Sequence, residues 1–139
     1  SSIAAAGIAA HEVGHAIQHA ENYSPIKVRN AIVPVANISS NFSWILFFIG
    51  ILMGFRTLTI LGIVLFCAVV AFQLVTLPVE FNASARALKI LKSRSILFED
   101  EVKKAGKVLK AAAMTYVAAT LMAISQLLRL IVISNNRDD

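Results

Sequence analysis

The chain has 139 residues, enough for one domain or one compact membrane bundle. Hydrophobic residues make up 58% of it and charged residues 15%, whereas soluble domains contain roughly 45–50% and about 25%. This composition argues against an ordinary soluble domain and favours an integral membrane protein. The formal net charge is +5, and eight Lys and Arg residues lie within 86–110. A basic segment between apolar spans is typical of a cytoplasmic loop, so we expect no nucleic-acid partner.

The first predicted element is a helix over residues 1–21, where SSIAAAGIAAHEVGHAIQHAE is rich in alanine. Pro25 cannot continue its hydrogen-bond ladder, so we expect the helix to stop before it and residues 26–34 to form a short basic connector. The chain opens at Ser1, inside this helix and without a methionine, so we expect it to be part of a longer protein.

Three apolar segments follow, and a membrane span needs about 20 residues. Residues 35–55 have a polar front half, which must face protein or water if the segment crosses the bilayer. Residues 58–77 form the clearest span, and the very short turn between these two predicts a tight transmembrane hairpin over 35–77. Residues 78–110 are predicted to form a helix and a basic cytoplasmic segment, and residues 111–133 a third transmembrane helix. The predicted fold class is all-α, with a single domain built as an integral membrane helical bundle.

The segment HEVGH at residues 11–15 matches the pattern H-E-x-x-H. Residues four apart lie on one face of a helix, about 6 Å apart along its axis, so His11 and His15 can converge on one Zn²⁺. Glu12 follows the first ligand and can act as general base on the zinc-bound water. The simpler interpretation is a solvated pair of histidines with a Glu–His contact. We favour one Zn²⁺ per chain, because ionisable groups beside a membrane are costly unless they are used.

A catalytic zinc of this kind needs a third protein ligand. His19 continues the row of histidines, but it lies about 12 Å from His11 along a straight helix. The metzincin pattern also fails, because Gln18 and Glu21 stand where glycine and histidine are required. His19 is therefore expected at the surface, or in contact with the metal ligands without binding the metal itself.

Glu80 is the carboxylate that could complete the site from a second helix. It is the only Asp or Glu between residues 22 and 98, and the predicted hairpin returns the chain to the side of the zinc helix. The alternative is that Glu80, soon after Pro78, merely stabilises a helix N-terminus.

Three polar residues after Glu80 are candidates for contacts around the metal or with substrate: Asn82, Ser84 and Arg86. Metal ligands usually have outer hydrogen-bond partners. Arg86 could instead clamp a substrate carboxylate or stabilise an oxyanion, or lie at the boundary with the lipid headgroups.

The segments AAHEVGHAIQHAENYSPIKVRN and LPVEFNASARAL, with the apolar hairpin between them, resemble the YugP-type neutral zinc metallopeptidases of bacterial membranes. The resemblance covers nearly the whole chain. The order of zinc helix, hairpin and glutamate helix is also similar to HtpX-type membrane proteases. This likeness implies that His11, His15 and Glu80 are zinc ligands, a gluzincin-like set, and that Glu12 is the base. It also implies an N-terminal apolar helix and a small region ahead of the zinc helix.

The leading functional prediction is a zinc-dependent endopeptidase in the lipid bilayer, acting on peptides or proteins, membrane proteins among them. A catalytically inactive zinc-binding membrane scaffold is the alternative, although it has no use for Glu12. A metal transporter is disfavoured, because it needs ionisable groups deep in the spans, where the sequence offers only Gln73, hydroxyl groups and Arg129 near an end.

The distribution of Lys and Arg predicts the orientation of the protein in the bacterial inner membrane. The segments on either side of the hairpin are basic, whereas its tip carries only Arg56. Loops rich in Lys and Arg stay in the cytoplasm when they lie near the spans. We therefore expect the zinc site at the cytoplasmic face, with the hairpin tip and the C-terminus outside.

Overall fold

The structure, a computed structural model, describes residues 2–138 and the side chains of residues 3–136. It contains four helices: α1 (Ser2–Ala20), α2 (Ser24–Met53), α3 (Arg56–Ser93) and α4 (Glu99–Asp138). No strand occurs in the described part of the chain. Helices α2, α3 and α4 are each long and apolar enough to cross a membrane, by length and composition. The predicted all-α class with three such helices is confirmed.

The break between α1 and α2 is shorter than the sequence predicted. Asn22 adopts a left-handed conformation with φ 55°, and the amide of Tyr23 donates to the carbonyl of Gln18 at 2.9 Å, which is a common way to end a helix. Pro25 then lies in the first turn of α2, where proline is favoured because its missing N–H has no helical partner. The predicted connector over 26–34 is therefore wrong, because these residues are helical.

The hairpin turn also lies slightly earlier than predicted. Gly54 has φ 64°, and the amide of Phe55 donates to the carbonyl of Gly50 at 2.8 Å. Arg56, which was expected in the turn, is the first residue of α3. Glycine takes this conformation without steric cost, so the chain reverses over two residues.

Helices α3 and α4 continue without a break across the predicted segment bounds at 77/78 and 110/111. Pro78 lies inside α3, at the cost of one backbone hydrogen bond, rather than at a helix start. Helix α4 begins with Glu99, Asp100 and Glu101, which are favourable near the positive end of the helix dipole.

The chain forms two compact units, residues 1–27 with 76–117 and residues 28–75 with 118–139. In the first unit, α1 and parts of α3 and α4 share a core of small and aliphatic side chains: Ala10, Ala87, Leu91, Ala105 and Leu109. Alanines at these positions allow the helices to approach closely.

The second unit has a larger-residue core: Phe47, Phe66, Val70, Ala123 and Leu130. The polar front half of the first predicted span divides between two environments in this unit. Ser39 and Ser43 are fully buried, whereas Asn37, Ser40 and Asn41 are exposed. Protein therefore covers only part of that polar surface.

Candidate metal centre

The candidate metal centre lies within the first unit, where α1 approaches α3 at a glycine. Gly14 is buried, and a Cβ built on it would overlap the carbonyl oxygen of Ala83 and lie 3.1 Å from its carbonyl carbon. Only glycine permits this approach. Because His11 and His15 flank Gly14 along α1, the close contact brings both imidazoles to the face of α3 that carries Glu80.

The three residues nominated from the sequence meet at one point. His11 Nε2 lies 2.9 Å from Glu80 Oε2, and His15 Nε2 lies 3.3 Å from Glu80 Oε1. One possible ligand atom from each residue lies within 4.8 Å of the other two. The side chain of Glu80 is only 5% exposed, whereas each imidazole is 17% exposed. The cluster therefore has a buried carboxylate on one side and access to the outside at the histidines.

Each imidazole makes its second hydrogen bond away from the cluster. His15 Nδ1 lies 2.9 Å from Gln18 Oε1, and His11 Nδ1 lies 2.9 Å from Ser84 Oγ. An amide oxygen only accepts, so His15 Nδ1 must carry the proton and donate it. The Ser84 hydroxyl can donate or accept, and it therefore suits either tautomer of His11.

This arrangement fits a bound cation. With Nδ1 protonated, the neutral imidazole of His15 turns a bare lone pair at Nε2 towards Glu80 Oε1, another acceptor. Two facing acceptors repel each other unless a cation or an added proton lies between them. Tetrahedral ligands about 2.0–2.1 Å from zinc are about 3.3 Å apart, close to the observed separations of 2.9 and 3.3 Å. Two nitrogens and a carboxylate oxygen are also the ligand types that zinc prefers.

Glu12 and His19 lie outside this cluster. Glu12 follows His11 in α1, is exposed, and forms no ion pair with any described residue. His19 is also exposed and is not part of the group that could hold a metal. The Glu80 carboxylate therefore belongs to the cluster, whereas the Glu12 carboxylate is exposed and does not.

Comparison with known proteins also points to zinc. The family described as "Putative neutral zinc metallopeptidase" matches residues 1–135. The chain belongs to this neutral zinc metallopeptidase family. It is 50% identical over 139 residues to the "Putative membrane protease YugP" of Bacillus subtilis (strain 168). The match covers 99% of this chain and 62% of that relative, so the chain spans less than two thirds of the relative's length. No solved structure matches it significantly.

In this family member, a hydrogen-bonded network continues from the cluster of His11, His15 and Glu80 along α1 and α3. The Gln18 amide donates to the carbonyl of Val79 at 2.9 Å and to Asn82 Oδ1 at 3.0 Å. Asn82 Oδ1 also accepts from Arg86 Nε at 2.7 Å. The guanidinium of Arg86 forms an ion pair with Glu21. Asn82 and Arg86 therefore connect the two helices rather than contacting the cluster directly.

Gln18 is the site residue that the sequence analysis missed. In the sequence it was notable only for standing where the metzincin pattern requires glycine. Its side chain is fully buried and forms a hydrogen bond with His15. Its spacing offered a signal, because residues three apart are neighbours on a helix surface. Gly14 carried a weaker signal, since a glycine inside an alanine-rich helix often marks a close contact.

Proposed function

We propose that this chain is the catalytic part of a membrane zinc endopeptidase, in which His11, His15 and Glu80 hold one Zn²⁺ and Glu12 is the general base. The observation that carries the proposal is the convergence of the two Nε2 atoms and a buried carboxylate, with both Nδ1 atoms bonded outwards. Family membership supports the same metal and the same class of reaction.

The reaction requires a water molecule to lose a proton and attack a peptide carbonyl. A Zn²⁺ ion bound by the cluster would acidify that water and polarise the carbonyl. Glu12 takes the proton and returns it to the departing amine, a role that suits an exposed carboxylate free of ion pairs. Consecutive helix residues point about 100° apart, so Glu12 projects beside the ligand His11 rather than towards the same point.

Gln18 and Ser84 keep the imidazoles in place. The amide oxygen of Gln18 holds the proton of His15 on Nδ1 and so leaves Nε2 available to the metal. The Ser84 hydroxyl, 2.9 Å from His11 Nδ1, can do the same for His11. Outer partners of this kind typically change metal affinity by about 10–100-fold when they are removed.

Two measurements on the full-length protein test the proposal: its zinc content and its hydrolysis of casein. Both are made on the parent and on the variant Glu12→Gln. The parent should bind about one Zn²⁺ per chain and cleave casein. The variant should keep the metal and lose nearly all hydrolysis, because an amide cannot take the proton. Metal binding without hydrolysis in the parent would favour a zinc-binding scaffold, and loss of metal in the variant would assign Glu12 a different role.

We also propose that the protein is a multi-pass protein of the bacterial inner membrane with its active site at the cytoplasmic face. The basic residues near the spans support this orientation. Cys67 is the single cysteine of the chain. The variants Arg56→Cys and Ser93→Cys, each in a Cys67→Ala background, can be labelled in intact cells with an impermeant thiol reagent. Position 56 should react and position 93 should not. The opposite pattern would place the active site outside.

A further inference from the structure

A small, partly enclosed cavity lies directly beside the cluster of His11, His15 and Glu80. Its volume is about 100 Å³, and it lies among α1, α3 and α4 within the first unit. His11, Glu80 and Ser84 form its polar end, and its other walls are formed by Ile8, Leu109, Ala112, Ala113 and Tyr116. The cavity therefore combines an apolar interior with direct access to two of the residues that would hold the metal.

We infer that this cavity binds an aliphatic side chain of the peptide substrate next to the bond that is cut. The inference rests on the proposed function and specifies its substrate class. A cavity of about 150 Å³ can hold a benzene molecule. A space of about 100 Å³ suits the side chain of valine, leucine or isoleucine better than an aromatic ring.

The polarity of the cavity selects against charged side chains. His11 and Glu80 face each other at 2.9 Å, so they are already engaged at the metal cluster. A lysine or aspartate placed among Ile8, Leu109 and Ala113 would lose its hydration without gaining a partner of opposite charge, because the remaining polar groups of the lining, on Ser84 and Tyr116, are neutral hydroxyls. Discrimination between apolar side chains differing by one methylene reaches about 10–200-fold in kcat/KM in pockets of this kind.

Two substitutions change the cavity in opposite directions. Ala112 is exposed and lines the cavity, so Ala112→Leu should narrow it without disturbing the core. Ile8 is 56% exposed, so Ile8→Ala should widen it. Ala111→Leu is the matched control, because Ala111 is also exposed, is absent from the cavity lining and points about 100° away around the same helix.

The first assay maps the bonds in casein that the zinc-loaded full-length protein cuts, by mass spectrometry of the products. The parent and Ala111→Leu should favour valine, leucine or isoleucine at one fixed position beside the cut. Ala112→Leu should shift that preference towards glycine and alanine by about tenfold or more, and Ile8→Ala should shift it towards phenylalanine. One common pattern in all four proteins, or a preference for charged residues, would overturn the inference.

The second assay measures binding without catalysis. The variant Ala112→Cys, in a background with Cys67→Ala and Glu12→Gln, is labelled with N-ethylmaleimide in the presence of N-acetyl-leucinamide or N-acetyl-glycinamide. Only the leucine compound should slow labelling, by several-fold. Equal effects of both compounds would overturn the inference. Leucine-selective protection in a protein whose parent cuts no peptide would refute the peptidase function and leave the cavity as a site for aliphatic ligands.

Discussion

Gly14 is the position at which one added methyl group should most disturb the metal centre. A Cβ there would overlap the carbonyl oxygen of Ala83 and lie 3.2 Å from the Ala83 Cα. These atoms belong to the backbone of α3, so no change of side-chain rotamer can relieve the overlap. In Gly14→Ala the two helices must separate, and His11 and His15 must move away from Glu80.

Gly7→Ala in the same helix is the matched control. A Cβ at Gly7 would have Ala105 Cβ as its nearest neighbour, at 3.6 Å, which is an ordinary van der Waals contact. Replacing glycine by alanine inside a helix stabilises it by about 1 kcal/mol, and this gain is the same at both positions. The difference in unfolding free energy between the two variants therefore isolates the packing cost at Gly14, about 1–3 kcal/mol for an overpacked core.

Two measurements test this prediction. Thermal unfolding of the metal-free proteins in detergent gives their stability, and zinc titration against a competing chelator gives their zinc affinity. Gly7→Ala should equal or exceed the parent in stability and bind zinc equally well. Gly14→Ala should be less stable than the parent. It should also bind zinc more weakly, because the zinc ligands are divided between α1 and α3, the two helices that the substitution pushes apart. Equal stability and equal zinc affinity of the two variants would refute the role assigned to the Gly14–Ala83 contact.

Two further predictions concern residues around the metal. Gln18→Leu removes the acceptor of His15 Nδ1 and should weaken zinc binding by about 10–100-fold. Gln73→Leu, a matched change in α3 outside the site, should leave the zinc affinity unchanged. Equal zinc affinities of the two variants would mean that Gln18 only fills space in the core. Glu80→Ala should weaken zinc binding strongly, whereas His19→Ala, at an exposed position, should leave it nearly intact. Full metal retention in Glu80→Ala would move the third ligand elsewhere.

Local sequence patterns determined the helical class and the choice of metal-binding candidates. Long apolar segments predicted three helices of membrane-spanning length, and the structure contains them. The spacing of His11 and His15 is a property of one helix and can be read directly from the sequence. Glu80 could be nominated because carboxylates are scarce in this part of the chain, and the structure places it within hydrogen-bond distance of His11.

The positions of the helix breaks were harder to predict from local signals. Proline is compatible with the first turn of a helix and can be tolerated inside a long one, so Pro25 and Pro78 did not mark the boundaries expected for them. The helices end instead just before residues in the left-handed conformation, α1 before Asn22 and α2 before Gly54.

Only the tertiary structure decided how the site is held together. Gly14 acquires its role because the backbone of Ala83 lies against it, 69 residues away in sequence. Gln18 acts on His15 while donating to Val79 and Asn82 on another helix. Such contacts depend on the distance and rotation between two helices. Helical periodicity places each residue on a face of its own helix, but it does not specify which face of another helix that residue meets.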